Sequence, residues 1–386
     1  MNTSASELPG ALVRHARAGI ADAKRIVVKI GSSSLTSMSG GLDLGRLFAL
    51  TNALSREHRA GREVILVSSG AIASGLSPLS MAKRPKNLAA QQAAASVGQG
   101  LLMARYNEAL MSHDVLAGQV LLSADDLIRR THYRNAQRAL EKLLGMHVLP
   151  IVNENDTVAT HEIRFGDNDR LAALVAHLVH ADALVLLSDV DAIYTEPPGR
   201  PGSERVELVR GPADLAEVAV GGVGESGVGT GGMATKVRAA QIAAESGIPS
   251  VVGSAAHVGD IMSGGDVGTC FTITHRRRST RLLWLAHLAD VHGSVHVDAG
   301  AVRALRDGHK SLLAAGIVGV SGEFDAGDPI EIVGPDAVVA RGLVNYSSEE
   351  LPGMYGKSTK ELVELFGPDH DREVVHRDDL IMTEPR

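Results

Sequence analysis

Arg25-Ile26-Val27-Val28-Lys29-Ile30-Gly31-Ser32-Ser33-Ser34-Leu35 is a short β-branched run that stops abruptly at a glycine and three serines. It reads as a buried strand entering a tight loop. Lys29 is out of place there, because a lysine between Val28 and Ile30 is costly to bury unless its ammonium meets an anion. Gly31 and the serines supply backbone N–H groups and hydroxyls, the equipment that cradles phosphate. Two readings fit the stretch on its own: a nucleotide-phosphate site at the mouth of a sheet, or an edge-strand lysine snorkelling to water before an ordinary turn.

Working outward, apolar strands alternate with amphipathic helices, the rhythm of an α/β protein with a mostly parallel sheet. Before the quoted stretch, residues 1–20 form a loosely held leader that frames a short helix. After it come a helix over 42–59 and a second strand, Glu63-Val64-Ile65-Leu66-Val67, which runs into Ser68-Ser69-Gly70-Ala71. Hydroxyls and glycine again follow a buried strand, as when ligand loops gather at the carboxyl ends of parallel strands. Helix capping is the plainer use of Ser68 and Ser69. The alanine- and glutamine-rich stretch 89–110 is helical, with a break expected near Gly98 and Gly100.

Strands at 115–122 and 148–152 follow, the second running into Asn153-Glu154-Asn155-Asp156-Thr157. Phe165-Gly166-Asp167-Asn168-Asp169-Arg170 then opens a helix over 171–180. A carboxylate there fits a cap, but two such clusters so close together favour a polar binding site. The strand 183–187 leads into Ser188-Asp189, and Pro249 to Gly253 is a closing strand. Between them, Gly221 to Thr235 is dense in glycine and passes through Lys236 into a helix over 237–246. Glycines before a lysine and a helix start make a phosphate-holding arrangement, although no glycine directly precedes Lys236, so the pattern is not Walker A.

The chain has 386 residues, enough for two domains. A hydrophobic share of 44% and a charged share of 22% are those of an ordinary soluble protein. The net charge of -7 and aromatics at 3% argue against a general nucleic-acid binder. A lone cysteine, Cys270, excludes an intrachain disulfide and a multi-cysteine zinc site. No apolar run approaches the roughly 20 residues that span a bilayer, and the leader has no secretory segment; the expectation is a cytoplasmic protein with no membrane partner. From the basic run His275-Arg276-Arg277-Arg278 onward the texture changes to short strands at 293–297, 317–320, 329–333 and 338–344. That reads as a small β-rich domain ending near Gly367, with a charged, partly ordered tail after about Asp369.

Six blocks in this order resemble the amino-acid-kinase family: Val28 to Ser32, Val67 to Ile72, Asn153 to Asp156, Phe165 to Asp169, Leu187 to Asp189 and Gly229 to Lys236. Residues from roughly 280 to 370, notably Gly308 to Ile317 and Phe324 to Asp328, resemble a PUA domain. The resemblance implies an α/β fold, the amino-acid-kinase three-layer sandwich with a mostly parallel central sheet, followed by a small β-rich PUA domain. The expected divisions are 1–20 leader, 21–275 catalytic domain, 276–370 PUA domain and 371–386 tail. The implied activity is ATP-dependent phosphorylation of the side-chain carboxylate of L-glutamate, the first step of proline synthesis. Lys29 and Lys236 would act on the phosphates and the transition state, with Asp169 holding both lysines. Gly31, Ser188, Asp189, Thr230, Gly231, Gly232, Met233, Ala234 and Thr235 would join the lysines in binding ATP. Ser69, Asp156 and Asn168 would bind glutamate. Where many relatives carry threonine, Ser68 and Ser188 keep the hydroxyl.

The chemistry agrees with these residues. A glutamate side chain, with a reference pKa of about 4.3, is already ionised at neutral pH, so no general base is required. The obstacle is electrostatic, an anionic carboxylate approaching an anionic γ-phosphate. Lysines, glycine-loop N–H groups and Mg²⁺ are the stabilisers this demands. Mg²⁺ would ride mainly on phosphate oxygens, so no residue is assigned as a metal ligand. The resemblance further implies feedback inhibition by proline and a homo-oligomer; a glutamyl-phosphate reductase is a candidate partner for the labile product, whether or not the product passes to it directly. A kinase of the same fold acting on acetylglutamate, aspartate, carbamate or a nucleoside monophosphate is the nearest rival. RNA binding by the PUA domain is the rival of another class, and the acidic total weighs against it.

Overall fold

The computed structural model describes residues 9–36, 41–123, 126–127, 130–158, 168–196, 200–215, 232–273, 291, 293–308, 310–367 and 370–383. They divide into two compact units, Met1–Arg278 and Ser279–Arg386. In the first unit the order is α1 (Pro9–Ala21), β1 (Arg25–Ile30), α2 (Ser32–Leu35), α3 (Leu44–Arg59), β2 (Glu63–Ser68), α4 (Ala71–Leu76) and α5 (Leu88–Met111). There follow β3 (Ala117–Leu122), α6 (Arg130–Gly145), β4 (Leu149–Glu154), α7 (Asn168–Leu178), β5 (Ala183–Ser188) and β6 (Leu208–Val209). The unit ends with α8 (Met233–Glu245), β7 (Ser250–Ser254), α9 (Val258–Met262) and β8 (Thr269–Phe271).

The eight strands form one sheet in the order β3-β4-β2-β1-β5-β7-β8-β6. All neighbours are parallel except β7 and β8. After β1 the chain builds β2 on one side and later β5 on the other, so the strand order reverses at β1. A crevice at the carboxyl ends of the strands opens at such a reversal, and Gly31 with its serines lies there.

Alternation along the strands separates two faces. Ile26, Val28, Ile30, Val64 and Leu66 join Leu47, Leu50 and Leu54 of α3 and Leu102, Tyr106 and Leu110 of α5 in one core cluster. The other face is covered by α7 and α8, which lie on β1, β5 and β7 and on each other. Fully buried alanines (Ala172, Ala173 and Ala176 in α7, Ala239, Ala240 and Ala243 in α8) let these helices approach closely. The sandwich therefore has three layers, with Lys29 on the α7 side.

Several expectations change against this architecture. The leader is not loose after residue 9. Ile20 is buried, and Arg17 donates to the carbonyls of Gly265 and Val267 and pairs with Asp266 at 2.9 Å. Helix α5 runs unbroken through Gly98 and Gly100. Beyond β7, the short strands β8 and β6 extend the sheet, so 249–253 does not close it. Asn153 and Glu154 are the last residues of β4 rather than the start of a loop, and both are buried.

The second unit contains β9 (Gly293–Val297), α10 (Ala299–Arg306), β10 (Ile317–Gly322), β11 (Pro329–Val333), β12 (Val338–Leu343), α11 (Thr359–Phe366) and β13 (Leu380–Met382). Its sheet has the order β10-β9-β11-β12-β13, with only β9 and β11 parallel. Val295, Ile330, Ile332, Ala340 and Val344 form the centre of a separate core. The expected tail instead supplies Val374 and Val375 to this core, both fully buried, and β13 to the edge of the sheet. A charged composition concealed those few apolar positions. Among the described residues no helix is long and apolar enough to cross a membrane.

Candidate active site

The carboxyl ends of β4, β2, β1 and β5 stand side by side. Ile30 is level with Ser68 of β2 and with Leu187 of β5, and Val67 is level with Val152 of β4. Gly31, Ser69, Ser188-Asp189 and Asn153-Glu154 are therefore brought to one edge by strand register alone. The backbone N–H of Ser69 donates to the Ile30 carbonyl at 3.2 Å, tying the β2 exit to the β1 exit.

Lys29 lies between Val67 and Leu186, its side chain only 4% exposed. Its Nζ meets Asp169 Oδ1 at 2.7 Å, and Lys236 Nζ reaches Asp169 Oδ2 at 3.3 Å. The Thr235 hydroxyl lies 2.7 Å from the same Oδ2 and 2.8 Å from the Gly232 carbonyl. The carboxylate at the head of α7 is thus not a helix cap. It is a fully buried anion on which two ammonium groups converge, one from β1 and one from the first turns of α8. Burial alone would push the Asp169 carboxyl up. The charges of Lys29 and Lys236 and the hydrogen bonds from Lys29 and Thr235 outweigh it and hold the group below the ordinary carboxylate range.

Glycine serves the same place. A Cβ on Gly31 would stand 3.5 Å from Lys29 Nζ, so its absence leaves the ammonium open on that side. Gly232 caps α8 with no side chain bonded to the first turn. The N–H groups of Met233, Ala234 and Thr235 then belong to a helix start of the kind that binds anions. Thr230 and Gly231 lie outside the described residues, as do Phe165, Gly166 and Asp167. Ser188 is buried and donates to Asp189 Oδ1 at 3.1 Å.

On the other side of β1 a polar network surrounds Asn168. Its Nδ2 lies 2.8 Å from the Ser68 carbonyl, 3.0 Å from Ser69 Oγ and 2.7 Å from Asn153 Oδ1. Asn153 in turn donates to Gln99 Oε1 of α5 at 2.8 Å. Ser68 Oγ and the Tyr106 hydroxyl of α5 are 2.8 Å apart in full burial, and burial pushes the tyrosine well above its ordinary pKa. Ser69 and Asn168 therefore touch, and Asp156 sits half-buried on the turn two residues past β4. Gln99 and Tyr106 were not readable as parts of this edge. They lie seven residues apart, two turns of one helix face, and that spacing was the available signal.

A strand-end crevice with two buried lysines on one aspartate, glycine-capped helix starts and a separate amide cluster can hold a phosphorylated ligand beside a small polar one. Residues 24–254 match the model of the amino acid kinase family, and residues 293–366 that of the PUA domain. The glutamate 5-kinase of Streptomyces coelicolor is 59% identical over 371 residues, 96% of this chain and 99% of its own. That of Salinispora arenicola is 59% identical over 361 residues, 93% and 98% of the two chains. That of Thermobifida fusca is 56% identical over 375 residues, 97% of each. The chain belongs to the amino acid kinase family, grouped with these glutamate 5-kinases and carrying, as its second unit, a PUA domain.

Proposed function

We propose that the chain transfers the γ-phosphoryl group of ATP to the side-chain carboxylate of L-glutamate, giving L-glutamyl 5-phosphate for proline biosynthesis. The observation that carries the reading is the convergence of Lys29 and Lys236 on buried Asp169 at the strand-order reversal. A carboxylate oxygen of glutamate attacks the γ-phosphorus, the bond to the ADP oxygen breaks, and ADP leaves with the electron pair. No proton moves in this step, so Asp169 has nothing to accept. Its role is to fix the two ammonium groups where charge gathers on the transferring phosphoryl group. A preorganised cation in a dry site is worth far more than one in water.

On this reading Gly31, Ser188, Asp189 and the 230–236 segment join the lysines in binding ATP, while Ser69, Asp156 and Asn168 bind glutamate. Mg²⁺ supplies charge neutralisation on the phosphates. Both Asp169 oxygens already receive ammonium groups, so this carboxylate is not offered to a metal, and nucleotide oxygens would hold the ion. Residues 21–275 would form the catalytic domain. Proline would inhibit by competing at the glutamate positions, the chain would assemble with its own copies in the cytoplasm, and the labile product would pass to a reductase.

Incubation with Mg-ATP, L-glutamate and hydroxylamine tests the reading, because hydroxylamine converts an acyl phosphate to a hydroxamate. Hydroxamate that requires all three components and is not formed from acetylglutamate or aspartate is expected. ADP release without hydroxamate from any amino acid would assign another acceptor.

A further inference from the structure

The amide cluster on the acceptor side has a fixed polarity that can be read from the backbone outward. The N–H of Glu154 can only donate, and it lies 2.9 Å from one side-chain atom of Asn153, which must therefore be the oxygen. The Asn153 NH₂ then faces Gln99, so Gln99 must present its oxygen, at 2.8 Å. The same Asn153 oxygen, with the Ser68 carbonyl, faces Asn168 at 2.7 and 2.8 Å, so the group of Asn168 lying there must be its NH₂. Asn168 Oδ1 is left pointing away from all three acceptors, with no hydrogen-bond partner among the described residues.

We infer that Gln99 is a positioning residue of the acceptor site: by accepting from Asn153 it locks the amide relay that turns Asn168 Oδ1 toward the amino-acid substrate, as an acceptor for that substrate's ammonium group. Gln99 is buried on α5 and does not touch Asn168 itself, so its effect passes through Asn153. Without it the Asn153 NH₂ is buried with no acceptor. A side chain that shifts to find one draws its oxygen away from Asn168, with the Glu154 N–H as its remaining anchor. The Asn168 NH₂ is then held by the Ser68 carbonyl and the Ser69 hydroxyl without Asn153, and whenever the loosened amide turns over it meets the substrate's ammonium with a donor, which repels it. Gln99 meets Asn153 on the acceptor side, while Lys29 and Lys236 are held by their own ion pairs to Asp169, so the nucleotide side is spared.

The inference rests on the proposed glutamate reading and is tested with the full chain in the hydroxamate assay. Gln99→Met keeps the length of the side chain and removes the acceptor. Gln99→Glu keeps an oxygen facing Asn153. The expected result for Gln99→Met is a KM for L-glutamate raised about tenfold, as follows from weakening one hydrogen bond to a charged group, with the KM for ATP within about twofold. Gln99→Glu is expected to stay within about threefold of wild type for both. A glutamate KM unchanged in Gln99→Met, or equal rises for glutamate and ATP, would overturn the inference while leaving the activity standing. Should Gln99→Met fail to fold, a folded Gln99→Glu with a tenfold higher glutamate KM would overturn it as well. Wild-type protein that forms no hydroxamate would remove the glutamate reading, and this inference with it.

Discussion

Lys29 was legible because it breaks a rule: a cation set in an apolar strand needs an anion. Asp169 is that anion, and Lys236 shares it. Lys29→Ala and Lys236→Ala are each expected to lower kcat about a thousandfold, as for loss of one preorganised charge partner. Each also removes a partner from a buried carboxylate, so a loss of about 3 kcal/mol in urea unfolding should accompany it. A variant that keeps most of its kcat would release that lysine from its role. The pH dependence follows from the lowered pKa of Asp169. Its folded value lies below the unfolded one, so its contribution is complete above the unfolded range, about pH 4, and fades as pH falls through the folded value. Urea midpoints measured downward from pH 7 should therefore fall less steeply in Asp169→Asn than in wild type, and parallel curves would contradict this. Gln99 broke no rule. A glutamine in a helix is ordinary until its partner, 54 residues away in sequence, is known.

Among the elements, α5 departs most from its sequence reading. Helix propensity predicts a break at glycine, and at Gly98 the glycine does something else. A Cβ there would stand 1.8 Å from the Ala71 carbonyl oxygen, and one on Gly75 of α4 would stand 1.9 Å from the Ala94 carbonyl oxygen. The two helices close backbone to backbone, which a propensity scale cannot register. Gly100, by contrast, has nothing within 4 Å of its missing Cβ. Gly98→Ala is expected to cost about 3 kcal/mol or more through overpacking. It should also raise the KM for glutamate, because α4 follows directly on Ser69-Gly70. Gly100→Ala is expected to gain about 1 kcal/mol from helix propensity. Thermal unfolding of the two variants checks the pair, and shifts of the same sign would show that the close approach does not govern this helix. The strands were more legible than the helix ends. A buried parallel strand needs a continuous apolar run, as at β2 and β5 and, but for Lys29, at β1, whereas β6 and β8 are too short to show one.

At the scale of the molecule, the change from helix–strand alternation to short strands announced two units, and the structure divides at Arg278 and Ser279. The closing residues were misread because Asp371, Arg372 and Arg377 surround only a few apolar positions. Val374 and Val375 together are worth roughly 3–6 kcal/mol of burial, a large part of the 5–15 kcal/mol that holds a domain together. A chain ending at residue 370 should therefore lose protease resistance across 293–366 rather than merely shed a tail. Resistance equal to that of the full chain would show these residues to be dispensable.

The two lysines and the aspartate also come from widely separated parts of the first unit's sequence: β1, the head of α7 and the first turn of α8. As the chain leaves the ribosome, Lys29 emerges early and has no counter-charge until Asp169 follows, so its ammonium must stay hydrated and the middle of the sheet open. Only after Lys236 and the end of α8 have cleared the exit tunnel can the triad assemble. Lys236 thus leaves the tunnel after Ser69, Asp156 and Asn168, so the triad is completed only when every residue proposed to hold the acceptor has already emerged.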